Sequence, residues 1–259
     1  MIFLKRARTR YTLHRYAIKH KLWVAVTSQL QVLQGMSSVE KAHLRELSTL
    51  FVHEKNIFGA QDFQLTEEMR VMIAVQACLP ILALGIELVS TWSDIIVYPD
   101  AFQVSRDERD EFGIVHHETH LLSGESWQRG PLILSWQDIE MDRQRWQQGH
   151  NVVIHEIAHK LDSLNGSANG MPPLHVAMHP EQWATTFSAA YQLFTQRLEH
   201  HQRVCVNPYA ATNPAEFFAV FSEYFFCAPD ILKNHFADVY QLLQLYYRQD
   251  PLRRCQIRQ

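Results

Sequence analysis

Residues 151–162 constrain the fold of this chain more than any other segment. They read Asn-Val-Val-Ile-His-Glu-Ile-Ala-His-Lys-Leu-Asp. On an α-helix, His155 and His159 would lie one above the other on the same face, because residues four apart are neighbours there. The apolar residues around them predict that this helix is buried, and two buried imidazoles without partners would be costly. A shared metal ion would supply the partner, so the segment predicts a metal-binding helix inside the molecule.

A glutamate between the two histidines gives the segment the pattern HExxH. Glu156 lies about 100° round the helix from His155, which is too far to complete the same ligand pair. It can instead take the proton of a water activated by the metal and pass it to a leaving amine. Zinc suits such a site because imidazole nitrogen is one of its preferred ligands. The alternative is an ordinary amphipathic helix with solvated histidines, and the apolar flanks argue against it.

A catalytic zinc site takes three protein ligands and leaves the fourth position open. The chain lacks the extended pattern HExxHxxGxxH, so the third ligand must come from another segment. Residues 209–223 are the best candidate, because Asn213 is a good N-cap and Pro214 suits the first position of a helix. Glu216 and Glu223 are the two carboxylates of that helix, on nearly the same face. We favour Glu216 over Glu223 as the ligand, and the alternative for Glu216 is a capping role facing Asn213.

Three segments carry a resemblance to a known family: GESWQRGPLILSW at 124–136, HEIAHKLD at 155–162 and NPAEFFAVFSE at 213–223. Together they resemble the bacterial Mlc titration factor A family of zinc peptidases. The chain is also similar, more distantly, to the catalytic domain of the lethal-factor protease. The resemblance covers most of the chain, from about residue 60 to about residue 250.

The resemblance implies a gluzincin-type site in which one zinc ion is held by His155, His159 and Glu216. It also implies that Glu156 is the catalytic acid and base, and that Tyr209, seven residues before Glu216, points into the site. The Tyr209 phenol would then hydrogen-bond the oxyanion of the tetrahedral intermediate. The alternative for Tyr209 is a loop tyrosine packed on the surface.

The function implied by the resemblance is that of a zinc-dependent metallopeptidase, a hydrolase of peptide substrates with an aminopeptidase-like preference. The resemblance also implies binding of a transcriptional repressor of the Mlc type, and through it an influence on glucose phosphotransferase genes. An alternative is a regulatory protein that sequesters its partner and has a dormant or partner-activated zinc site. A purely structural zinc site fits poorly, because such sites are usually closed and rich in cysteine.

Residues 132–134 predict a short strand, and Pro131 before them suits the edge of a sheet. If the resemblance holds, this edge strand lies beside the metal and pairs with the backbone of the substrate. An ordinary sheet strand is the alternative. Residues 116–122 predict another strand, whose histidines we expect to face solvent rather than bind a second metal.

The chain as a whole predicts a mostly helical α+β fold with a small sheet. Ser37 and Glu40 form a capping box that opens a helix ending near Lys55, and Thr66 is expected to cap the next helix, which ends near Pro80. Longer helices are predicted at 179–203, 214–227 and 230–248. The predicted organisation is an N-terminal helical and basic segment at 1–60, packed on a zinc metallopeptidase domain at 61–259.

Charge and cysteine content limit which partners and which cellular location the chain can have. The net charge of −3 gives no reason to expect direct nucleic-acid binding, and no apolar run is long enough to span a membrane. Seven lysines and arginines nevertheless precede the first acidic residue, Glu40. This run is either a solvated helix face or a basic arm for nucleic acid, a membrane surface or an acidic partner. Four scattered cysteines without a CxxC pair fit a reducing compartment, so the expected location is the cytoplasm.

Two features next to the HExxH segment have open interpretations. Asp162, three residues after His159, is expected either to orient a ligand histidine or to be a carboxylate on the helix surface. Residues 165–173 are rich in turn-forming residues, so they form either a mobile lid near the metal or a simple reversal of the chain.

Overall fold

Helices dominate the computed structural model, which describes residues 2–100, 102–109, 115–122, 124–126, 130–166 and 168–256. For residues 2–5 and 255–256, and for those described between 102 and 126, the description covers the backbone alone. The α-helices are α1 Ile2–Arg15, α2 His20–Thr27, α3 Ser38–Glu54, α4 Glu67–Cys78, α5 Trp136–Gln144, α6 Val152–Asp162, α7 Pro180–Glu199, α8 Pro214–Cys227, α9 Pro229–His235, α10 Ala237–Tyr247 and α11 Pro251–Gln256. The strands are β1 Asn56–Gly59, β2 Asp94–Tyr98, β3 Phe102–Arg109, β4 Val115–Leu122, β5 Gly124–Ser126 and β6 Leu132–Ser135.

The main sheet has four strands in the order β1-β2-β6-β5. The first three run parallel to one another, and β5 pairs antiparallel with β6. Strands β3 and β4 form a separate antiparallel pair. The predicted fold class, mostly helical α+β with a small sheet, is confirmed. None of the described helices has the length and apolar character needed to cross a membrane.

The predicted strand at 132–134 is confirmed, but its predicted edge position is wrong. β6 pairs with β2 on one side and with β5 on the other, so β5 is the edge. All four residues of β6 are buried, as expected for an inner strand of a parallel sheet. Pro131 precedes the first paired residue, Leu132, so its missing N–H removes no hydrogen bond from the ladder.

Side-chain caps set where two of the helices begin. Ser37 accepts a hydrogen bond from the backbone of Glu40, and the Glu40 carboxylate accepts one from the backbone of Ser37, which is the predicted capping box. Thr66 caps α4 by accepting from the backbone of Met69. Helix α4 ends two residues before Pro80, as predicted.

The prediction of one helix over 230–248 is wrong, because the chain forms α9 and α10 with a break at Phe236. The Phe236 backbone is not helical (φ −142°, ψ 56°), and its ring is buried. Its ring centroid lies 4.9 Å from that of Phe221 and 6.3 Å from that of Phe194. Packing of this ring into the aromatic core therefore takes precedence over continuation of the helix.

The hydrophobic core places α6 against α8 and α4 in the middle of the molecule. Residues 217–227 of α8 are all buried, so this helix is surrounded by protein along most of its length. Cys78 and Cys227 are buried free thiols within this core. The division of the chain at residue 60 stays a prediction.

Candidate metal centre

The start of α6 is held by a network of buried polar contacts. Asn151 caps the helix by accepting a hydrogen bond from the backbone N–H of Ile154 (3.0 Å), and its side-chain amide donates to Gln76 Oε1 (2.8 Å). The backbone N–H of Val152 donates to Asp142 Oδ2 (2.7 Å). Because the first turn is fixed in this way, the position of the two histidines that follow is fixed as well.

The two histidines of α6 retain a small exposed fraction on an otherwise buried helix. The side chains of His155 and His159 are 13% and 12% exposed. Their ring centroids are 4.7 Å apart, and their Nε2 atoms are 3.1 Å apart. The spacing of four residues therefore brings both imidazoles to one point.

Glu216 reaches the same point from α8. Asn213 caps α8 by accepting a hydrogen bond from the backbone N–H of Glu216 (3.0 Å). The Glu216 side chain turns towards α6, where its Oε2 lies 3.1 Å from His155 Nε2 and 3.2 Å from His159 Nε2. Asn213 alone caps the helix, so Glu216 is free to face the histidines.

These three atoms form a nearly equilateral triangle with sides of 3.1–3.2 Å. Zinc–ligand distances of about 2.0–2.2 Å would separate the ligand atoms by roughly 3.3–3.6 Å at tetrahedral angles. The observed triangle is only slightly smaller, and the three side chains keep exposed fractions of 12–16%, so the cluster is not sealed from solvent. Within the described residues, this is the one group of three His, Cys, Asp or Glu side chains whose ligand atoms lie this close together.

Glu223 lies behind His155, outside this three-residue cluster. Its Oε1 is 2.8 Å from His155 Nδ1, and its Oε2 accepts a hydrogen bond from the backbone N–H of Asn151 (2.6 Å). A carboxylate only accepts, so Nδ1 carries a proton and Nε2 is the ring atom that faces Glu216. Nε2 and the Glu216 oxygen lie 3.1 Å apart, a distance that needs a cation between them, either a proton or a metal ion. The donor set therefore fits a metal ion.

The electrostatics of the cluster also favour a positive charge. Burial lowers the pKa of His155, but Glu223 and Glu216 together raise it well above its usual value. Burial raises the pKa of Glu156 to about 7. Glu156 is 1% exposed, and its Oε2 has no hydrogen-bond partner among the described residues. Since buried polar atoms are usually satisfied, this unpaired oxygen marks Glu156 as a candidate functional group.

Tyr209 lies beside the cluster, next to His155. It belongs to a short 3-10 helix, Pro208–Ala211, directly before α8, and its backbone N–H donates to Asn207 Oδ1 (3.0 Å). Its ring centroid is 6.2 Å from that of His155, and the residue is 43% exposed. The ring therefore borders both the cluster and the solvent.

Asp162 is fully buried and holds the loop that follows α6, so its interpretation as a surface carboxylate is wrong. Its Oδ2 accepts a hydrogen bond from the backbone N–H of Gly170 (2.7 Å), and the Gly170 carbonyl accepts one from Trp183 Nε1 (3.0 Å). Gly170 has φ +80°, and a Cβ there would lie 2.5 Å from the carbonyl oxygen of Pro214, the first residue of α8. The described part of this loop is thus packed closely against the helix that carries Glu216.

Sequence reasoning missed several residues that support the cluster. The cap at Asn151 could have been found, because Asn directly before an apolar helix is an N-terminal signal. Gln76 and Asp142 leave no local signal, since they meet α6 only in the folded molecule. Lys160 is 2% exposed, and its Nζ donates to the carbonyl oxygen of Gly130 (2.9 Å), which links α6 to the segment before β6.

The His–His–Glu cluster between two core helices of an α+β fold is a candidate metal centre, and the comparisons with known proteins point to metallopeptidases. The family model described as glucose-regulated metallo-peptidase M90 matches residues 4–248, and the chain belongs to this family. An uncharacterised protein of Synechocystis is 40% identical over 235 residues, which cover 90% of this chain and 86% of that protein. The Mlc titration factor A of Cronobacter sakazakii is 36% identical over 248 residues (95% and 92% of the two chains), and that of Serratia proteamaculans is 37% identical over 230 residues (88% and 87%). The predicted resemblance to the Mlc titration factor A family is confirmed.

Proposed function

We propose that this chain is a zinc-dependent metallopeptidase that holds one zinc ion through His155, His159 and Glu216. The observation that carries the proposal is the triangle of ligand atoms with sides of 3.1–3.2 Å, backed by the hydrogen bond from His155 to Glu223. Membership of the M90 family supports it, because the family is described as one of metallopeptidases. Two imidazoles and one carboxylate suit zinc, whereas calcium and magnesium take oxygen ligands.

Glu156 is the proposed general base and general acid. When bound at the cluster, zinc supplies Lewis acidity, which lowers the pKa of a coordinated water to about 7 and polarises a carbonyl oxygen. In this role Glu156 takes the proton of the attacking water and returns it to the departing amine, and its unpartnered Oε2 supports the role. Because Glu156 follows His155 directly on α6, the backbone of one helix sets the position of both residues.

Tyr209 is the proposed donor to the oxyanion of the tetrahedral intermediate. Its ring lies 6.2 Å from that of His155 and is partly exposed, which supports this role. A donor aimed at the developing charge contributes about 2.7–4 kcal/mol to transition-state stabilisation in comparable sites. The proposed substrates are short peptides, which the family resemblance tilts towards aminopeptidase-like cleavage.

A second role, binding of a transcriptional repressor of the Mlc type, rests on the name of the relatives, Mlc titration factor A. In this role the chain would act in the cytoplasm and influence the expression of glucose phosphotransferase genes. It is compatible with peptidase activity, because a peptidase can also sequester a partner. The alternative is a partner-sequestering protein whose zinc site is dormant or activated by the partner.

The experiment that tests the peptidase combines elemental analysis with hydrolysis of a panel of chromogenic amino-acid and peptide substrates. Wild type is compared with Glu156→Gln and with Glu181→Gln, a matched change at an exposed glutamate on α7. We expect one zinc per chain in all three proteins. Hydrolysis should fall by about 10²–10⁴-fold in Glu156→Gln, the usual contribution of a general acid or base, and stay unchanged in Glu181→Gln.

Three outcomes would count against parts of this proposal. Zinc loss in Glu156→Gln would contradict its role as base, because the residue should not be a ligand. Wild type that holds zinc but hydrolyses no substrate would favour the partner-sequestering alternative, and repressor binding by Glu156→Gln would then be measured. Wild type without bound zinc would overturn the metal assignment itself.

A further inference from the structure

The positive charges of this chain are strongly segregated, which its net charge conceals. Seven of its 24 lysines and arginines lie before Glu40, where the chain has no acidic residue. The remaining 17 face all 27 acidic residues, a balance of −10. A net charge of −3 is therefore the sum of a basic N-terminal part and an acidic remainder. Charges separated by more than about 10 Å are largely screened from each other, so the basic part acts on its own surroundings.

The basic side chains of α1 are exposed and lie on two sides of one helix face. Successive residues are about 100° apart round a helix, so Arg6 and Arg10 fall within roughly 40° of each other, and Arg15 falls roughly 140–180° away from them. Ala7 and Tyr11 project between these two sides. All five of these residues are exposed, and Tyr11 is 62% exposed.

The arginines of this face have no internal neutralising partner in the described part of the chain. No ion pair links Arg6, Arg10 or Arg15 to an acidic residue there. Arg8 is also exposed, but it borders a cavity of about 440 Å³ that Glu54 and Glu87 line as well, so we do not count it as part of this face.

The segment that follows α1 is fixed to the body of the protein, so this face has a set orientation. The carbonyl oxygen of Ile18 accepts hydrogen bonds from the guanidinium of Arg45 on α3 (Nε at 3.0 Å), and the backbone N–H of Ile18 donates to Thr49 Oγ1 (3.3 Å). Trp23 and Val26 of α2 are buried in the core. A face held in this way can bind without a large loss of conformational freedom.

We propose that the exposed face of α1 binds duplex nucleic acid. The arginines on the two sides of the face contact phosphates, and Ala7 and Tyr11 between them face the groove. An α-helix is about 10–12 Å across, and the major groove of B-DNA is about 12 Å wide, so a helix with cations on both flanks matches the two phosphate backbones that border the groove. Arginine suits this role because its planar guanidinium matches phosphate with two hydrogen bonds. This revises the expectation from net charge that no nucleic acid is bound.

The arrangement favours a grooved polyanion over a flat anionic membrane. A flat surface contacts one side of a helix, whereas the arginines here lie on both sides of the exposed face.

The test is the fluorescence anisotropy of a labelled 20-base-pair DNA duplex titrated with the full-length protein at several salt concentrations. We expect binding whose logarithmic salt dependence has a slope of about −3 or steeper, since each phosphate contact contributes about −0.9. The double variant Arg6→Ala with Arg10→Ala should bind at least 10-fold more weakly at low salt, with the slope reduced in magnitude by about 2. Tyr11→Ala should weaken binding without changing the slope.

Two matched controls separate this face from general electrostatics and from the metal centre. Arg203→Ala with Arg253→Ala removes the same charge from exposed positions elsewhere and should leave affinity and slope unchanged. Glu156→Gln should bind the duplex as wild type does. Circular dichroism checks that each variant is folded.

Several results would overturn the proposal. The first is that the wild type does not bind the duplex at low salt. The second is that the Arg203→Ala, Arg253→Ala control loses as much affinity as the Arg6→Ala, Arg10→Ala variant. The third is that Tyr11→Ala binds with wild-type affinity. Vesicles containing phosphatidylglycerol provide the competing surface. Tighter binding to these vesicles than to the duplex, lost with the same two arginines, would assign the face to membranes instead.

Discussion

The metal centre and the exposed face of α1 both bring several charged side chains together, but they differ in how those side chains are partnered. In the centre, His155, Glu216 and Glu223 are 7–16% exposed, and each lies within 3.2 Å of a polar partner. On α1, Arg6 and Arg10 are exposed and have no acidic partner in the described part of the chain.

This difference follows from burial. Buried polar groups must be satisfied by the protein itself, so the centre is a connected network in which one substitution disturbs several contacts. Exposed charges are hydrated and screened, so each contributes little to stability and acts almost independently. We therefore expect large, coupled effects in the centre and small, additive ones on α1.

The largest effect is expected for Glu216→Gln, which removes a charged member of the cluster. The loss of zinc affinity should exceed the 10–100-fold typical of residues that only orient a ligand. Hydrolysis should fall to background at micromolar zinc. Competition with a chromogenic chelator measures the affinity, and retention of wild-type affinity would show that Glu216 is not a ligand.

Tyr209→Phe tests the tyrosine that borders the centre. The phenylalanine keeps the ring but removes the phenol donor, so kcat should fall by about 10²–10³-fold while zinc content stays at one per chain. Steady-state kinetics on the best substrate of the panel measures this change. If Tyr209→Phe had the kcat of the wild type, Tyr209 would be an ordinary surface tyrosine without a role in the reaction.

Glu223→Gln tests whether the buried second carboxylate orients His155. The amide offers one acceptor oxygen, so either His155 Nδ1 or the backbone N–H of Asn151 loses its acceptor. Zinc affinity should fall by about 10–100-fold. The control is Asp250→Asn. This carboxylate is not part of the metal centre, and it accepts hydrogen bonds from the side chains of Tyr240 and Gln244.

The control distinguishes orientation from general stability. Both variants should lower the free energy of unfolding by about 1–3 kcal/mol, because each weakens hydrogen bonds to a carboxylate. Only Glu223→Gln should lower zinc affinity. If the two variants bound zinc with equal affinity, Glu223 would have a structural role only and would not orient His155.

The smallest effect is expected on α1. Arg6→Ala and Arg10→Ala should each change the free energy of unfolding by less than about 0.5 kcal/mol, because neither arginine has an internal partner to lose. Urea denaturation of the two single variants and the double variant measures this. If the double variant lost more than about 1 kcal/mol of unfolding free energy beyond the sum of the single variants, the two arginines would interact with the rest of the fold. The contrast with the metal centre would then be wrong.

Helix starts and the motif helix were predictable because their causes are local. The capping box at Ser37 and Glu40 and the Asn213–Pro214 start of α8 are formed by neighbours in the sequence. The break at Phe236 and the inner position of β6 were not predictable, because they depend on packing partners distant in the sequence.

The amino-acid sequence by itself determined that His155 and His159 share one face of α6, because the helical repeat brings residues four apart together. It also placed Glu216 and Glu223 on one face of α8, about 10 Å apart along the helix axis. Only the tertiary structure decided that Glu216 meets the two Nε2 atoms while Glu223 meets His155 Nδ1. The physical reason is that the level at which α6 and α8 cross is set by packing of the whole core, which no local pattern contains.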